Sequence, residues 1–259
     1  IKDTYKSVIL IKGPNRGGLV ADVSITLANL HVQMHTLIAR ELPDGGAEHF
    51  ALPDLHPGDH ICDAGCGLGY LSLALSPYVR RVTAADRSQE ALSVLRENCT
   101  RRAVQNIDIL PGDIRTDSPD TAYDAMVFCF FGTIEEVAAI ARDQCRGTVF
   151  VFKKHYATHR FSVGSHPTGH ESFRAAAEWL AERGIPFEAA ELELEMGQPL
   201  RSTEEARRFF RLYSRDEDKS VITDEFLRGR LIETGRTDFP LYLPHKRPVG
   251  CLKFSSKNL

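Results

Sequence analysis

One short segment of the sequence combines an acidic residue, glycines at alternate positions and two cysteines: HICDAGCGLGYLSLAL, residues 60–75. An apolar run that predicts a strand precedes the glycines, and a run that predicts a helix follows them. Glycine lets the backbone approach a ligand closely, and the amides at a helix start suit anionic groups. We therefore expect the amides of this turn to face a nucleotide-like ligand. The residues expected to contact it are Asp63, Gly65, Cys66, Gly67 and Gly69.

A metal site and a plain turn are the two alternatives to a nucleotide site in this segment. Cys62 and Cys66 have C-x3-C spacing, but the first lies in the predicted strand and the second in the loop. No C-x-x-C pair occurs, and the cysteines are scattered, so we expect buried free thiols. The histidines from His155 to His170 lack tight spacing and carboxylates, so no metal site is expected. A plain turn requires fewer glycines than this one has.

The composition is typical of a soluble globular protein and disfavours two classes of partner. The 259 residues suffice for one large domain, or for a standard domain with a small one. A net charge of −3 offers no basic footprint for nucleic acid, and no apolar run approaches the length that spans a bilayer. Since no secretory leader is visible, we expect a cytoplasmic protein with neither a nucleic-acid nor a membrane partner.

Beyond residue 59, apolar runs alternate with helical patterns, which predicts an α/β fold with a parallel sheet. Strands are expected at 60–64, 81–86, 106–110, 125–131 and 148–154, and then at 187–196 and 249–256. Helices are expected at 88–103, 133–145 and 171–184. Ser88 is the expected cap of the first helix, and a Thr133–Glu136 capping box is expected to open the second.

An insertion separates the last two predicted strands. It is expected to hold two helices, 202–215 with a Ser202–Glu205 capping box and 224–235. A helical insertion at the end of a sheet is a candidate lid, and we assign it to residues 200–248.

The first 53 residues have a different pattern, which predicts a small βαββ unit ahead of the main domain at 54–259. A strand at 6–13 and a helix at 17–30 are followed by strands at 32–43 and 47–53. The tripeptide Asp44-Gly45-Gly46 predicts a hairpin between those two strands.

The string D-A-G-C-G-L-G, residues 63–69, resembles motif I of the class I S-adenosylmethionine-dependent methyltransferases. A nicotinamide enzyme is the alternative, but its fingerprint is G-x-G-x-x-G, and Tyr70 stands where that pattern has its last glycine. The resemblance covers residues 55–256. It implies a seven-stranded Rossmann-like sheet with helices on both faces and an antiparallel last strand, with motif I holding the methionine half of the cofactor.

The later strand ends match the same family. Asp86, followed by Arg87, ends the second strand, where the family places an acidic residue on both ribose hydroxyls; a carboxylate can accept both bonds. Asp113 matches the residue that accepts from the adenine amino group, and Ile114 matches the apolar wall beside the ring. Cys129 lies at the end of the fourth strand, which borders the methyl group. Each carboxylate also fits a purely structural role, as a helix-start or turn residue.

The resemblance implies methyl transfer from S-adenosylmethionine to a small-molecule acceptor by in-line displacement, in which the protein mainly aligns the reactants. His155 and Tyr156 follow the fifth strand at the expected ligand crevice and are the candidates for catalysis. Candidate contacts to the acceptor are Phe131, Lys153, Arg201, Tyr242 and His245.

Residues 6–50 are similar to the first half of an ACT domain. A half unit leaves an unpaired sheet edge, so we expect a homodimer through this segment, with packing against its own main domain as the alternative. Two other functions remain open. One is a non-catalytic cofactor-binding regulator with an ACT-like sensor, and the other is an RNA methyltransferase, which the charge disfavours.

Overall fold

The computed structural model describes residues 55–259 except 118, 157, 160, 168–171 and 196. Ahead of residue 55 it describes three strands, β1 Ile11–Pro14, β2 Ile38–Glu41 and β3 Gly46–Phe50. These strands form an antiparallel sheet with β3 in the centre, and β2 and β3 pair from Ile38 opposite Phe50 to Glu41 opposite Ala47. The predicted hairpin is therefore confirmed, while the predicted helix 17–30 lies outside the described residues.

The main sheet has seven strands, as predicted: β4 His60–Ala64, β5 Arg81–Asp86, β6 Ile107–Pro111, β7 Tyr123–Cys129, β8 Cys145–Lys154, β9 Phe187–Glu195 and β13 Lys246–Ser255. Their order is β6-β5-β4-β7-β8-β13-β9, and β13 runs antiparallel to both of its neighbours. The strand predicted at 125–131 ends earlier, at Cys129, because Phe130 adopts a left-handed φ of 55° that no strand continues.

Helices cover both faces of this sheet: α1 Tyr70–Leu75, α2 Gln89–Arg102, α3 Ile134–Gln144 and α4 Phe173–Glu182. Leu75 of α1 packs with Val82 and Phe150 on one face, whereas α3 and α4 pack with Val149 and Val151 on the other. The predicted cap at Ser88 and the capping box at the start of α3 are both confirmed. Every helix in the described part of the chain is too short or too polar to span a bilayer.

The insertion between β9 and β13 is not purely helical. It contains β10 Gln198–Leu200, α5 Thr203–Tyr213, α6 Asp224–Arg228, β11 Ile232–Glu233 and β12 Leu241–Leu243. The three strands pair antiparallel in the order β10-β12-β11, and a separate apolar cluster includes Leu200, Phe210 and Leu243. The sheet was not predicted because its strands are only two or three residues long, too short for a periodic pattern.

Two details of the insertion correct the sequence analysis. The predicted helix 224–235 ends at Arg228, where Gly229 is the cap, and the chain then joins the small sheet. The second capping box is incomplete: Ser202 Oγ accepts from the Glu205 amide, but the Glu205 carboxylate accepts from the Arg201 amide instead.

A partly buried carboxylate connects the insertion to the loop that follows β8. Asp216, just after α5, accepts from the amides of Val163 and Gly164 at 2.6 and 2.8 Å. Its carboxylate also accepts from Ser214 Oγ at 2.5 Å and lies 2.8 Å from His166 Nε2. Hydrogen bonds from Ser214, Val163 and Gly164 hold the pKa of Asp216 well below its usual range, although burial alone would raise it.

Candidate cofactor and active site

Two cavities meet at the carboxyl ends of the parallel strands, where open α/β sheets bind ligands. The smaller cavity, about 280 Å³, lies over β5, β6 and the end of β7. The larger cavity, about 730 Å³, lies over β4 and α1 and reaches Gly197 and Gln198 at the start of the insertion. Both are lined by Gly65, Cys129 and Phe130, so these residues mark the boundary between the two.

The glycine turn between β4 and α1 has the left-handed backbone that its composition predicts. Gly65, Gly67 and Gly69 have φ values of 74°, 54° and 74°. A Cβ on Gly65 would lie 2.6 Å from the Phe131 ring, so a side chain is excluded there. A Cβ on Gly67 would meet nothing within 4 Å, so the turn leaves open space above this residue.

The amides of this turn do not face a ligand as predicted. The Gly65 and Cys66 amides both donate to the Ala85 carbonyl, at 2.8 and 3.0 Å. The Gly67 amide donates to Asp86 Oδ2 at 2.8 Å. These bonds attach the turn to β5, because a buried amide must find a partner and the neighbouring strand supplies one. The prediction was wrong for these three amides, although Gly65 and Cys66 still line the larger cavity.

Asp63 is the buried acid of the larger cavity. Its side chain is 1% exposed and accepts a hydrogen bond from Ser72 Oγ at 2.6 Å. Burial raises the pKa of Asp63 to about 6, partly opposed by the hydrogen bonds from Ser72. A cationic ligand group beside this carboxyl would stabilise its ionised form, so the site favours an ammonium over an anion.

Asp86 lies in the wall of the smaller cavity, at the end of β5. Its two oxygens accept from the amides of Gly67 and Ser88, each at 2.8 Å. Because each carboxylate oxygen can accept more than one hydrogen bond, both keep an acceptor site for ligand hydroxyls. Arg87 also lines this cavity, and its Nη1 lies 3.6 Å from Asp113 Oδ2.

Asp113 and Arg115 form a charged pair on the opposite wall of the smaller cavity. Asp113 Oδ1 accepts from the Arg115 amide at 3.1 Å and from Arg115 Nη1 at 3.2 Å. The bond from the Arg115 amide is the main cause that lowers the pKa of Asp113. Ile114, between them, is buried and also lines the cavity.

Arg115 is a site residue that the sequence analysis missed. Its guanidinium lies 4.7 Å from the centroid of the Phe131 ring, and its Nε donates to Glu136 Oε1 at 3.2 Å. Arg115 therefore connects the loop after β6, the loop after β7 and the first turn of α3. Glu136 is 21 residues away from it in the chain, and no local pattern indicates such a contact.

Cys129, at the end of β7, and the two phenylalanines that follow it differ in the cavities that they line. Cys129 lines both cavities, and burial raises the pKa of its thiol to about 12, so it is neutral. Phe130 also lines both, is 46% exposed and holds the left-handed φ of 55°, a strained conformation for a bulky residue. Phe131 lines only the smaller cavity, together with Asp86 and Asp113, and does not line the larger one.

The structure does not bring the two predicted catalytic residues to either cavity. His155 Nε2 lies 3.7 Å from Glu191 Oε1, and its ring packs edge-on against Phe173. Neither His155 nor Tyr156 belongs to the lining. The predicted acceptor contact Lys153 is buried, and its ammonium donates to the carbonyls of Phe131, at 3.2 Å, and Gly132, so it fixes the loop after β7.

The predicted acceptor contacts in the insertion do not line the two cavities either. Arg201 stacks on Phe239 at 5.1 Å and pairs with Glu205, and the His245 ring lies 5.4 Å from Phe161. Tyr242 is buried in β12. Its hydroxyl lies where a Cβ on Gly197 would be, and Gly197 does line the larger cavity. Within the described residues, no group of His, Cys, Asp and Glu could hold a metal ion.

Comparisons with known proteins show similarity to methyltransferases over part of the chain. Residues 61–147 match the model of a family described as a methyltransferase domain. Over 62 residues the chain is 45% identical to cobalt-precorrin-6B C(15)-methyltransferase (decarboxylating) of Salmonella typhimurium, which is 23% of this chain and 32% of that protein. It is 38% identical over 88 residues to malonyl-(acyl-carrier protein) O-methyltransferase of Serratia marcescens, or 34% of this chain and 31% of that protein.

Solved structures share the fold. The YcgJ protein from Bacillus subtilis aligns with a TM-score of 0.50 and 14% identity, over 78% of this chain and 93% of that chain. A structure from Bacillus halodurans C-125 aligns with the same TM-score and identity, over 78% of this chain and 94% of that one. Residues 61–147 are thus similar to a methyltransferase domain, and the seven-stranded Rossmann-like sheet is the fold shared with these solved structures. The chain spans about a third of the length of the two curated relatives described above.

Proposed function

We propose that the protein transfers a methyl group from S-adenosylmethionine to a small-molecule acceptor. The observation that carries this proposal is the pair of cavities that share Gly65, Cys129 and Phe130 as a common boundary. A cofactor and an acceptor bound on the two sides of this boundary would meet there, as transfer between them requires.

The smaller cavity has the donor and acceptor set that an adenosine needs. Asp86 retains acceptor sites for the two ribose hydroxyls. Asp113 lines the same cavity and, by the family resemblance, would accept from the adenine amino group. Ile114 and Phe131 would flank the ring. The methionine half would extend past Gly65, over the open space above Gly67, towards Asp63, whose carboxyl suits the ammonium.

S-adenosylmethionine, when bound, supplies a methyl group already activated by its sulfonium. The protein then has to orient the acceptor and exclude water. The titratable residues that line the larger cavity are Asp63, Cys66, Tyr70 and Cys129. Burial raises the pKa of both thiols, so neither is a base at neutral pH. We infer that catalysis depends on alignment, with an acceptor atom that is nucleophilic without a strong protein base.

Calorimetry provides the first test. We expect S-adenosylhomocysteine to bind to the full chain and NAD not to bind; heat with NAD alone would contradict the proposal. Turnover is then measured as S-adenosylhomocysteine released from S-adenosylmethionine with candidate acceptors. Tight cofactor binding without release for any acceptor would favour the non-catalytic regulator.

We also propose that residues 200–248 act as a lid, since Gly197 and Gln198, just ahead of this segment, line the larger cavity. Cofactor together with an acceptor should slow proteolysis within this segment, and unchanged cleavage would argue against a lid. The ACT-like unit at 1–53 and a homodimer through it stay predictions. Solution mass measurement tests the dimer, and a monomeric mass would contradict it.

A further inference from the structure

Large apolar side chains that stay exposed converge on the larger cavity. Among the described residues, eight such side chains are exposed, and three of them, Leu68, Tyr70 and Phe130, line this one cavity. Single exposed apolar side chains are ordinary, whereas a group of them around one concave surface is typical of a binding site. These three side chains are 46%, 58% and 46% exposed, so burial in the core does not explain their apolar character.

Two loops at the carboxyl ends of the strands carry these side chains. Leu68 lies within the glycine turn after β4, and Tyr70 is the first residue of α1. Phe130 follows β7, and its amide donates to the Phe152 carbonyl at 2.9 Å while its own φ is left-handed. A bulky residue keeps such a backbone conformation only where its surroundings hold it there, and strained residues of this kind cluster at ligand sites. An apolar ring is thus held at the boundary with the smaller cavity.

Asp63 is the single charged side chain among the described residues that line the larger cavity. Its carboxyl accepts from Ser72 Oγ and is assigned above to the cofactor ammonium, for which a cationic acceptor would have to compete. The thiols of Cys66 and Cys129 are neutral, because burial raises the pKa of each. The described lining offers no cation to an anionic acceptor, and burying an unpaired charge is unfavourable. The charges of the lining therefore favour an uncharged acceptor.

We propose that the methyl acceptor is an uncharged molecule with an apolar, aromatic body that contacts Leu68, Tyr70 and Phe130. This inference rests on the proposed function. The cavity volume of about 730 Å³ lies within the range of small-molecule sites, about 300 to 1,000 Å³. Tyr70 and Phe130 favour an aromatic body, because aromatic rings attract each other beyond the effect of the area they bury. Gln198 adds a neutral amide to the lining, which suits an uncharged polar substituent.

The test uses the full chain saturated with S-adenosylhomocysteine and three probes of similar size: the neutral indole-5-carboxamide, the anionic indole-5-carboxylate and the cationic 5-aminomethylindole. Calorimetry measures the affinity of each probe for wild type, Leu68→Ala and Tyr70→Ala. Leu212→Ala is the matched control, because Leu212 is exposed on α5 and lines neither cavity. The melting temperature, solution mass and S-adenosylhomocysteine affinity of every variant separate a loss of folding or of cofactor from a loss of acceptor binding.

We expect wild type to bind the carboxamide at least tenfold more tightly than either charged probe. Tyr70→Ala and Leu68→Ala should each weaken the carboxamide about fivefold, and Leu212→Ala should bind it like wild type. The inference is overturned if the carboxamide does not bind, if a charged probe binds as tightly, or if both cavity variants bind like wild type. A changed solution mass in Leu68→Ala or Tyr70→Ala would assign these side chains to an interface between copies and would also overturn it. Failure of wild type to bind S-adenosylhomocysteine would instead contradict the proposed function.

Discussion

The two cavities differ in the part of the chain that builds them. The smaller one is formed by the ends of consecutive parallel strands and is rich in charged groups: Asp86, Arg87, Asp113 and Arg115. The larger one combines the first turn of α1 with the start of the insertion and is mostly apolar. In the proposed function, the adenosine occupies the smaller cavity and the acceptor the larger one, which also receives the methionine end of the cofactor at Asp63; Gly65, Cys129 and Phe130 line both cavities.

The largest expected effect is on the cofactor side. Asp86→Ala should weaken S-adenosylhomocysteine binding about 100-fold, because two hydrogen bonds to a charged carboxylate contribute roughly 3 kcal/mol together. Calorimetry measures the loss of affinity. The melting temperature of the variant shows whether losing the hydrogen bonds from Gly67 and Ser88 to Asp86 has destabilised the fold. Asp120→Asn, at an exposed position, is the matched control. Wild-type affinity in a folded Asp86→Ala variant would place the ribose elsewhere.

Asp63, in the larger cavity, provides a test by pH. Its carboxyl ionises near 3.8 when unfolded and near 6 in the fold. Because the folded pKa is raised, the protonated acid stabilises the fold below about pH 4, and this contribution of about 3 kcal/mol is lost as the pH rises through about 6.

Urea unfolding between pH 4 and pH 7 measures this loss. Asp63→Asn should flatten the profile over that range, because its side chain does not titrate, and should weaken S-adenosylhomocysteine binding. A profile in Asp63→Asn as steep as in wild type would assign the pH dependence to other groups.

Substitutions of Arg115 test whether it affects cofactor binding by positioning Asp113 and Phe131. Arg115→Met should weaken S-adenosylhomocysteine about tenfold, because Asp113 and Phe131 lose a common partner. Arg115→Lys should recover only part of the loss, since an ammonium cannot bond Asp113 and Glu136 while stacking on the ring. An equal effect of both variants would indicate that the guanidinium geometry is required and that charge alone contributes nothing, whereas wild-type affinity in Arg115→Lys would indicate that charge alone matters.

Substitutions of Phe130 and Phe131 should have the smallest effects on stability, and they should best separate cofactor binding from acceptor turnover. Phe130→Gly relieves the left-handed strain and removes a half-exposed side chain, so the free energy of unfolding should change by no more than about 1 kcal/mol. Acceptor kcat/KM should fall more than S-adenosylhomocysteine affinity, because Phe130 lines both cavities. Phe131→Ala should lower S-adenosylhomocysteine affinity more than acceptor kcat/KM, because Phe131 lines only the smaller cavity. If both variants lose cofactor affinity equally, the two cavities are not separate sites.

The sequence predicted the main sheet and its helix caps well, because local patterns determine both. Strand and helix periods, the caps at Ser88 and Thr133 and the glycine turn all depend on nearby residues. The sequence did not predict where the turn amides and most of the proposed acceptor contacts find their partners, because these partners are distant in the chain. Lys153 was expected to contact the acceptor, but its ammonium donates to the Phe131 carbonyl. Phe130 lines both cavities in a left-handed backbone conformation, which is disfavoured for phenylalanine.

The Asp216 connection has a consequence for how new specificities arise in this architecture. Phe161 belongs to the apolar cluster of the insertion although it precedes α4 in the chain, and Asp216 bonds the same 161–166 stretch. The exchangeable module is therefore discontinuous. A graft of the 197–245 segment from a related enzyme would keep its apolar interior intact only if residues 158–167 were exchanged as well. Recombination at a single crossover point would therefore separate two segments that pack together.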